Sequence, residues 1–209
     1  FQSLLDEYQA DVDRSVNYAR AVGHIAAASQ TYDHVAYLTP GHPFVFDAVA
    51  EGVRRLASPG VEIQVVSGIS SIEGILSEVG IDSAPALCIL EATFYLDALK
   101  YVENRASYVL VQTDALRSNR VVTVETQDAD AYRTLFTKMD CDFGRSHPCR
   151  ILRLPHIAGQ PLLNVSTTIG DLSHLPPSTF LGASVFVPSV DAGRLEGVRL
   201  TASTLGIHV

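Results

Sequence analysis

"YLTPGHPFVFDAV", residues 37–49, decides how the chain is read. A β-favouring run, Val35 to Leu38, stops at Thr39-Pro40-Gly41-His42-Pro43, and helix-compatible residues follow. Two prolines around a glycine make a rigid turn that continues neither element. In open α/β sheets, a turn at the C-terminal end of a strand is where ligands bind.

Working outward, the same grammar repeats. "HVAYL" predicts a strand, and residues 44–57 predict a helix with Phe46, Val49, Val53 and Leu56 on one face, ended by Ser58-Pro59-Gly60. "VEIQVV" predicts a second strand. Ser67-Gly68-Ile69-Ser70-Ser71 then turns tightly into a helix carrying Ile72, Ile75, Leu76 and Val79, which stops at Gly80. Upstream, Asp13 is the expected cap of a helix over 14–29. Strand–helix–strand–helix predicts a parallel sheet with helical crossovers. Parallel strands share a direction, so the Gly41 and Gly68 turns are expected on one sheet edge, as a small-molecule site.

The pattern changes after Ile81-Asp82-Ser83-Ala84-Pro85. "ALCILEA", "SYVLVQT", "RVVTVET" and "CRILRLP" predict strands, with a helix near 128–138 among them. "TTIGDLSHL" predicts a short helix leading into a strand in "STFLGASVFVP". The second half is expected to be a mixed sheet. The domain reading is 1–83, an N-terminal α/β domain; 84–190, a C-terminal mixed α/β domain; and 191–209, a tail.

Bulk properties exclude several classes. The 209 residues carry a net charge of −8, with 47% hydrophobic and 18% charged residues and no basic run. A nucleic-acid surface needs a basic face, so none is expected. No apolar run reaches the length of a membrane span, so no membrane partner is expected. Cys88, Cys141 and Cys149 are odd in number and lack C-x-x-C spacing, which suggests neither a disulfide framework nor a zinc site, and fits a cytoplasmic protein. The histidines show no metal spacing, and Ser70-Ser71 has no evident His/Asp partner for hydrolase chemistry. The chain opens at Phe1 and its only methionine is Met139, so a natural start is expected upstream.

Pro40-Gly41-His42-Pro43 resembles the "G-D-P" or "G-H-P" loop of the tetrapyrrole methylase superfamily, which transfers methyl groups from S-adenosylmethionine. "SGISSIEGILSEVGID" is similar to that family's "PGxSSxxAxxAxxGI" element, with Ser67 where the family usually has proline. "EATFYL" and "YVLVQT" resemble its next two strand ends. The resemblance implies two α/β domains with the cofactor in the cleft. It also implies cofactor contacts from Pro40, Gly41, His42, Val45, Phe46, Gly68, Ser70, Ser71, Ala92, Gln112 and Thr113, and no metal. The family's opening strand and "GxGxGD" loop have no counterpart here. The physics is compatible: glycine turns let backbone groups approach a sulfonium ligand closely, Val45 and Ile69 can wall the site, and Ser70 and Ser71 can hydrogen-bond.

"YQADVDRSVNY" sets Tyr8, Arg14 and Tyr18 in the pattern Y-x5-R-x3-Y. That pattern is similar to the catalytic set of the borosin peptide backbone N-methyltransferases, as "EATFYL" and "VGIDS" are to their "EAxDFL" and "GIDP". Their corner, "YGHPGVF", has a tyrosine where this chain has Pro40. An amide nitrogen shares its lone pair with the carbonyl and is a poor nucleophile until its proton is removed. A phenol near an arginine is expected to have a lowered pKa and to serve as base, while a second phenol donates to the carbonyl oxygen. Arg14 and Tyr18, four apart, share a helix face; Tyr8 comes from outside that helix.

The leading expectation is therefore a methyltransferase acting on peptide amides, the peptide being the chain's own tail or a separate precursor. The alternatives are a tetrapyrrole or other small-molecule methyltransferase and a non-catalytic methylase-like binding or regulatory domain. A homodimer is expected, as symmetric pairs are the commonest oligomers. The tail "GVRLTASTLGIHV" reads as an edge strand or linker, or as a methylation track.

Overall fold

The computed structural model describes residues 3–4, 8–56, 60–82, 86–120, 123, 126–155 and 159–191. The chain divides into two compact units, one of residues 1–81 with 118–123 and one of 82–117 with 124–209.

Three helices organise the first unit. Helix α1 runs Arg14–Thr31, and the Asp13 carboxylate caps it by accepting from the Ser15 amide. Helix α2 is Ala48–Leu56. It starts later than the sequence predicts because Asp47 is its cap: one carboxylate oxygen accepts from the amides of Val49 (2.9 Å) and Ala50 (3.0 Å). Helix α3, Ser71–Val79, opens on a capping box between Ser70 and Glu73 and closes on left-handed Gly80. Ala21, Val22 and Val49 form a small core between α1 and α2, with Tyr18, Tyr37 and Val53 packed on it.

The two expected strands "HVAYL" and "VEIQVV" are not strands: residues 33–39 and 60–69 carry no ladder among the described residues. A strand exists only through its partners, and alternation alone supplies none. The side chains meant for a sheet face are instead exposed, among them Val35, Leu38, Val61, Ile63 and Val65.

The second unit holds a five-stranded mixed sheet, as expected. Its strands are β1 Leu87–Glu91, β2 Ser107–Val111, β3 Pro148–Arg153, β4 Leu163–Thr168 and β5 Ser184–Val187, in the order β1-β2-β5-β3-β4. β1 and β2 are parallel; the remaining pairs are antiparallel. β2 lies between two neighbours and buries Tyr108, Val109, Leu110 and Val111, the continuous apolar run an interior strand requires. β4 was not anticipated, and "EATFYL" is mostly helix: α4, Ala92–Asp97, follows β1 directly. The strand predicted in "RVVTVET" falls largely outside the described residues, as does the tail from residue 192.

Helix α5, Ala129–Phe143, is capped by the Asp128 carboxylate, which accepts from the Asp130 and Ala131 amides. Ala131, Leu135 and Met139, spaced by four, form its buried stripe. The core also contains Tyr95, whose hydroxyl donates to Asp142 (2.6 Å), itself bound by Lys138 (3.0 Å).

Burial, and then the bond to Asp142, hold the Tyr95 phenol protonated far above its usual range. Burial likewise pushes Tyr108 and the Cys149 thiol up to about 12. The folded state therefore keeps protons that the unfolded chain releases. Stability should be full below the ordinary values of these groups and fall as pH rises through them, by up to about 1.4 kcal/mol per pH unit for each group. Urea denaturation at about pH 8 and about pH 11 should show the fall, and Tyr95→Phe should make it shallower.

Candidate active site

The residues flagged in the sequence fall into three clusters. The first sits at the start of α1. Arg14 is that helix's first residue; its backbone N–H donates to the Asn119 carbonyl (2.7 Å) and its Nη2 to the Ser118 carbonyl (2.5 Å). One turn on, Asn17 is buried. It accepts from the Gln9 amide (3.1 Å) and donates through Nδ2 to the Gln9 carbonyl (2.8 Å). This two-point clasp ties the preceding segment to the helix. It brings Tyr8 beside Tyr18 with ring centroids 6.5 Å apart. Asn17 escaped the sequence reading; its signal is a lone amide on the stripe that also buries Ala21 and Val22.

The electrostatics depart from expectation. The Tyr8 phenol is raised, not lowered: burial leads and the neighbouring Tyr18 adds to it, while Arg14 pulls the other way and is outweighed. At neutral pH Tyr8 is a hydrogen-bond donor.

The second cluster is the pair of glycine turns. Gly41 has φ +85°. Gly68 lies so close that a Cβ there would sit inside van der Waals contact of the Gly41 carbonyl oxygen. The turns thus meet backbone to backbone, and the glycine at 68 is explained by that approach. His42 turns its ring back on the corner, Nδ1 accepting from the Phe44 amide (3.1 Å), so the imidazole is a local cap. Pro40 is exposed, Val45 half-buried, and Phe46 holds a left-handed φ of 59° with its ring exposed. Such backbone strain in a non-glycine residue concentrates at functional sites. The Ser70 hydroxyl is committed to α3: it donates to Glu73 and accepts from the Ile72 amide (3.2 Å). That bond, before any other influence, holds the Glu73 carboxyl below its usual range. Ser71 is exposed. Leu38, Phe44, Phe46 and Ile69 flank the turns with exposed apolar surface of the kind a ligand covers. The sequence reading also missed Tyr37, whose hydroxyl donates to the Asp47 carboxylate at 3.2 Å; burial, followed by Asp47, raises its pKa.

The third cluster lies in the second unit, at the ends of β1 and β2. Ala92 and Thr113 are fully buried, and the Thr113 hydroxyl donates to the Ala183 carbonyl (2.8 Å). Both side chains serve their own unit's core. Gln112, between β2 and Thr113, is left-handed at φ 54° and ψ 36° and half-buried.

Residues 3–133 match the family described as Tetrapyrrole (Corrin/Porphyrin) Methylases. The chain belongs to that family. The methylase's fold agrees. A uroporphyrin-III C-methyltransferase from Thermus thermophilus superposes with a TM-score of 0.57 at 22% identity, covering 86% of this chain and 73% of that one. Another structure of that T. thermophilus enzyme, complexed with S-adenosyl homocysteine, gives 0.51 at 17% identity, over 81% and 72%. The methyltransferase CobJ gives 0.55 at 13%, over 87% and 73%. No curated protein sequence matches the methylase.

The contact between the turns makes a sharp test. Gly68→Ala forces the Gly41 corner to move and should cost about 1–3 kcal/mol. Gly23→Ala, inside α1 with open space around the new methyl, should instead stabilise by about 0.5–1 kcal/mol. Urea denaturation of the two variants gives both signs.

Proposed function

We propose that this methylase transfers a methyl group from S-adenosylmethionine to a backbone amide nitrogen of a peptide. The single observation behind the choice of acceptor is the clasped Tyr8–Tyr18 pair at the head of α1, with Arg14 on the same helix. The donor supplies an electrophilic methyl on a sulfonium. The Gly41 and Gly68 turns suit it, with bare backbone at the corner and exposed Leu38, Phe46 and Ile69 for its apolar parts.

Protonated Tyr8 donates to the carbonyl oxygen of the acceptor amide, where negative charge grows as the nitrogen loses its proton. The Tyr18 hydroxyl, half-buried, takes up that proton as it passes its own to solvent water, which carries it away. The nitrogen lone pair then forms the N–C bond as the S–C bond breaks, leaving S-adenosylhomocysteine. Arg14, anchored on the Ser118 carbonyl, contributes positive charge near the developing anion.

A second reading has its own support. The family's description and the uroporphyrin-III methyltransferase likeness favour a tetrapyrrole acceptor, whose nucleophilic carbon needs no amide deprotonation.

Incubating the full chain with S-adenosylmethionine, alone, with a Val/Ile-rich peptide, or with a uroporphyrinogen-type macrocycle, separates the two. Intact-mass steps of about 14 units on chain or peptide are the expected result. Tyr8→Phe and Tyr18→Phe should each slow that step by on the order of 10²-fold while leaving donor affinity unchanged. Methylation of the macrocycle alone would replace the first reading with the second. Wild-type rates in both variants would reduce the tyrosines to packing.

A further inference from the structure

A cavity of about 410 Å³ opens on the second unit, between α5 and the 3-10 turns at Ile169–His174 and Pro177–Thr179. That volume lies within the range of small-molecule sites. Its aromatic lining is a triangle of Tyr132, Phe136 and Phe180, with centroids 5.2–5.8 Å apart. Three charged side chains also line it. Arg133 is already paired with Asp130 (2.6 Å). The others, Asp140 and Arg145, have no ion-pair partner among the described residues, in each other or elsewhere.

Arg145 is nevertheless positioned. A Cβ on Gly170 would come within 2.9 Å of the Arg145 Nε, so the glycine makes room for the guanidinium stem to lie across it. Nη2 reaches the Gly170 carbonyl only weakly, at 3.5 Å, leaving its remaining donors unspent. The Asp140 carboxylate has no hydrogen bond among the described residues. One wall therefore offers an aromatic face and the rim offers one unneutralised cation and one unneutralised anion.

We propose that this cavity binds a free amino acid with an aromatic side chain. Its carboxylate meets the Arg145 fork, its ammonium meets Asp140, and its ring packs on Phe136 and Phe180. Such a zwitterion uses both unpaired charges of the lining. A simple anion would leave Asp140 as a repulsive neighbour, and a simple cation would do the same with Arg145. None of the lining residues belongs to the three clusters described above, so the proposal goes beyond the function proposed for them.

Calorimetric titration of the full chain with L-phenylalanine, 3-phenylpropanoate and 2-phenylethylamine tests this. L-Phenylalanine should bind at one site, each truncated probe about tenfold more weakly or worse. Arg145→Gln should weaken L-phenylalanine by about tenfold and leave 2-phenylethylamine unchanged, while Asp140→Asn should weaken it equally and leave 3-phenylpropanoate unchanged. In the wild-type protein, L-phenylalanine should shift the Gly170 and Phe136 amide resonances, which keeps the test independent of how the variants fold. Absence of binding in the millimolar range would overturn the proposal. So would equal affinity for the three probes, or amide shifts that spare Gly170.

Discussion

The close approach of Gly41 to Gly68 is the constraint on which the first unit depends. Two turns far apart in sequence meet through their backbones, and no side chain larger than hydrogen fits at 68. The contact draws the exit of residues 33–39 and the exit of residues 60–69 to one place, although neither segment forms a sheet ladder among the described residues. It also fixes the approach to two helices. Asp47 caps α2 six residues after Gly41, and Ser70 with Glu73 caps α3 two residues after Gly68. Two side chains that the family resemblance assigns to the cofactor also hold that geometry: His42 caps its own corner and Ser70 caps its own helix. What the corner leaves for a ligand is backbone and apolar surface. That is suitable chemistry for a bulky, partly apolar molecule with a sulfonium charge.

Local signals were legible in the sequence wherever the structure obeyed local rules. Asp13 and Gly80 mark helix ends that caps enforce, and the β2 segment carries the apolar run that an interior strand buries. Partnership was not legible. "VEIQVV" has strand composition, yet pairing is a property of two segments, and alternation in one cannot report on the other. The start of α2 was misjudged for a narrower reason. Phe46 has helix-compatible chemistry but a left-handed backbone, and the helix waits for the Asp47 carboxylate.

The site shows the same division. Spacing put Arg14 and Tyr18 on one face because a helix repeats every 3.6 residues. Nothing in the spacing reveals that Tyr8 is held beside Tyr18, since that depends on Asn17 bonding both ways to the Gln9 backbone. A buried amide with both functions satisfied by the backbone of one residue is a strong clasp, because loss of either partner leaves a buried polar group unpaired.

That clasp also decides the electrostatics of the pair. Pulling Tyr8 against Tyr18 removes water from its hydroxyl and sets a second phenol beside it, and both raise its pKa more than Arg14 lowers it. Arg14 is partly spent elsewhere, its Nη2 bonded to the Ser118 carbonyl. The arrangement favours a neutral donor at Tyr8 over a phenolate. For acyl or amide chemistry that distinction matters. A neutral donor stabilises charge only as it forms on the substrate oxygen, whereas a standing phenolate would repel it. Through the Gln9 backbone, Asn17 thus holds Tyr8 where its phenol stays protonated.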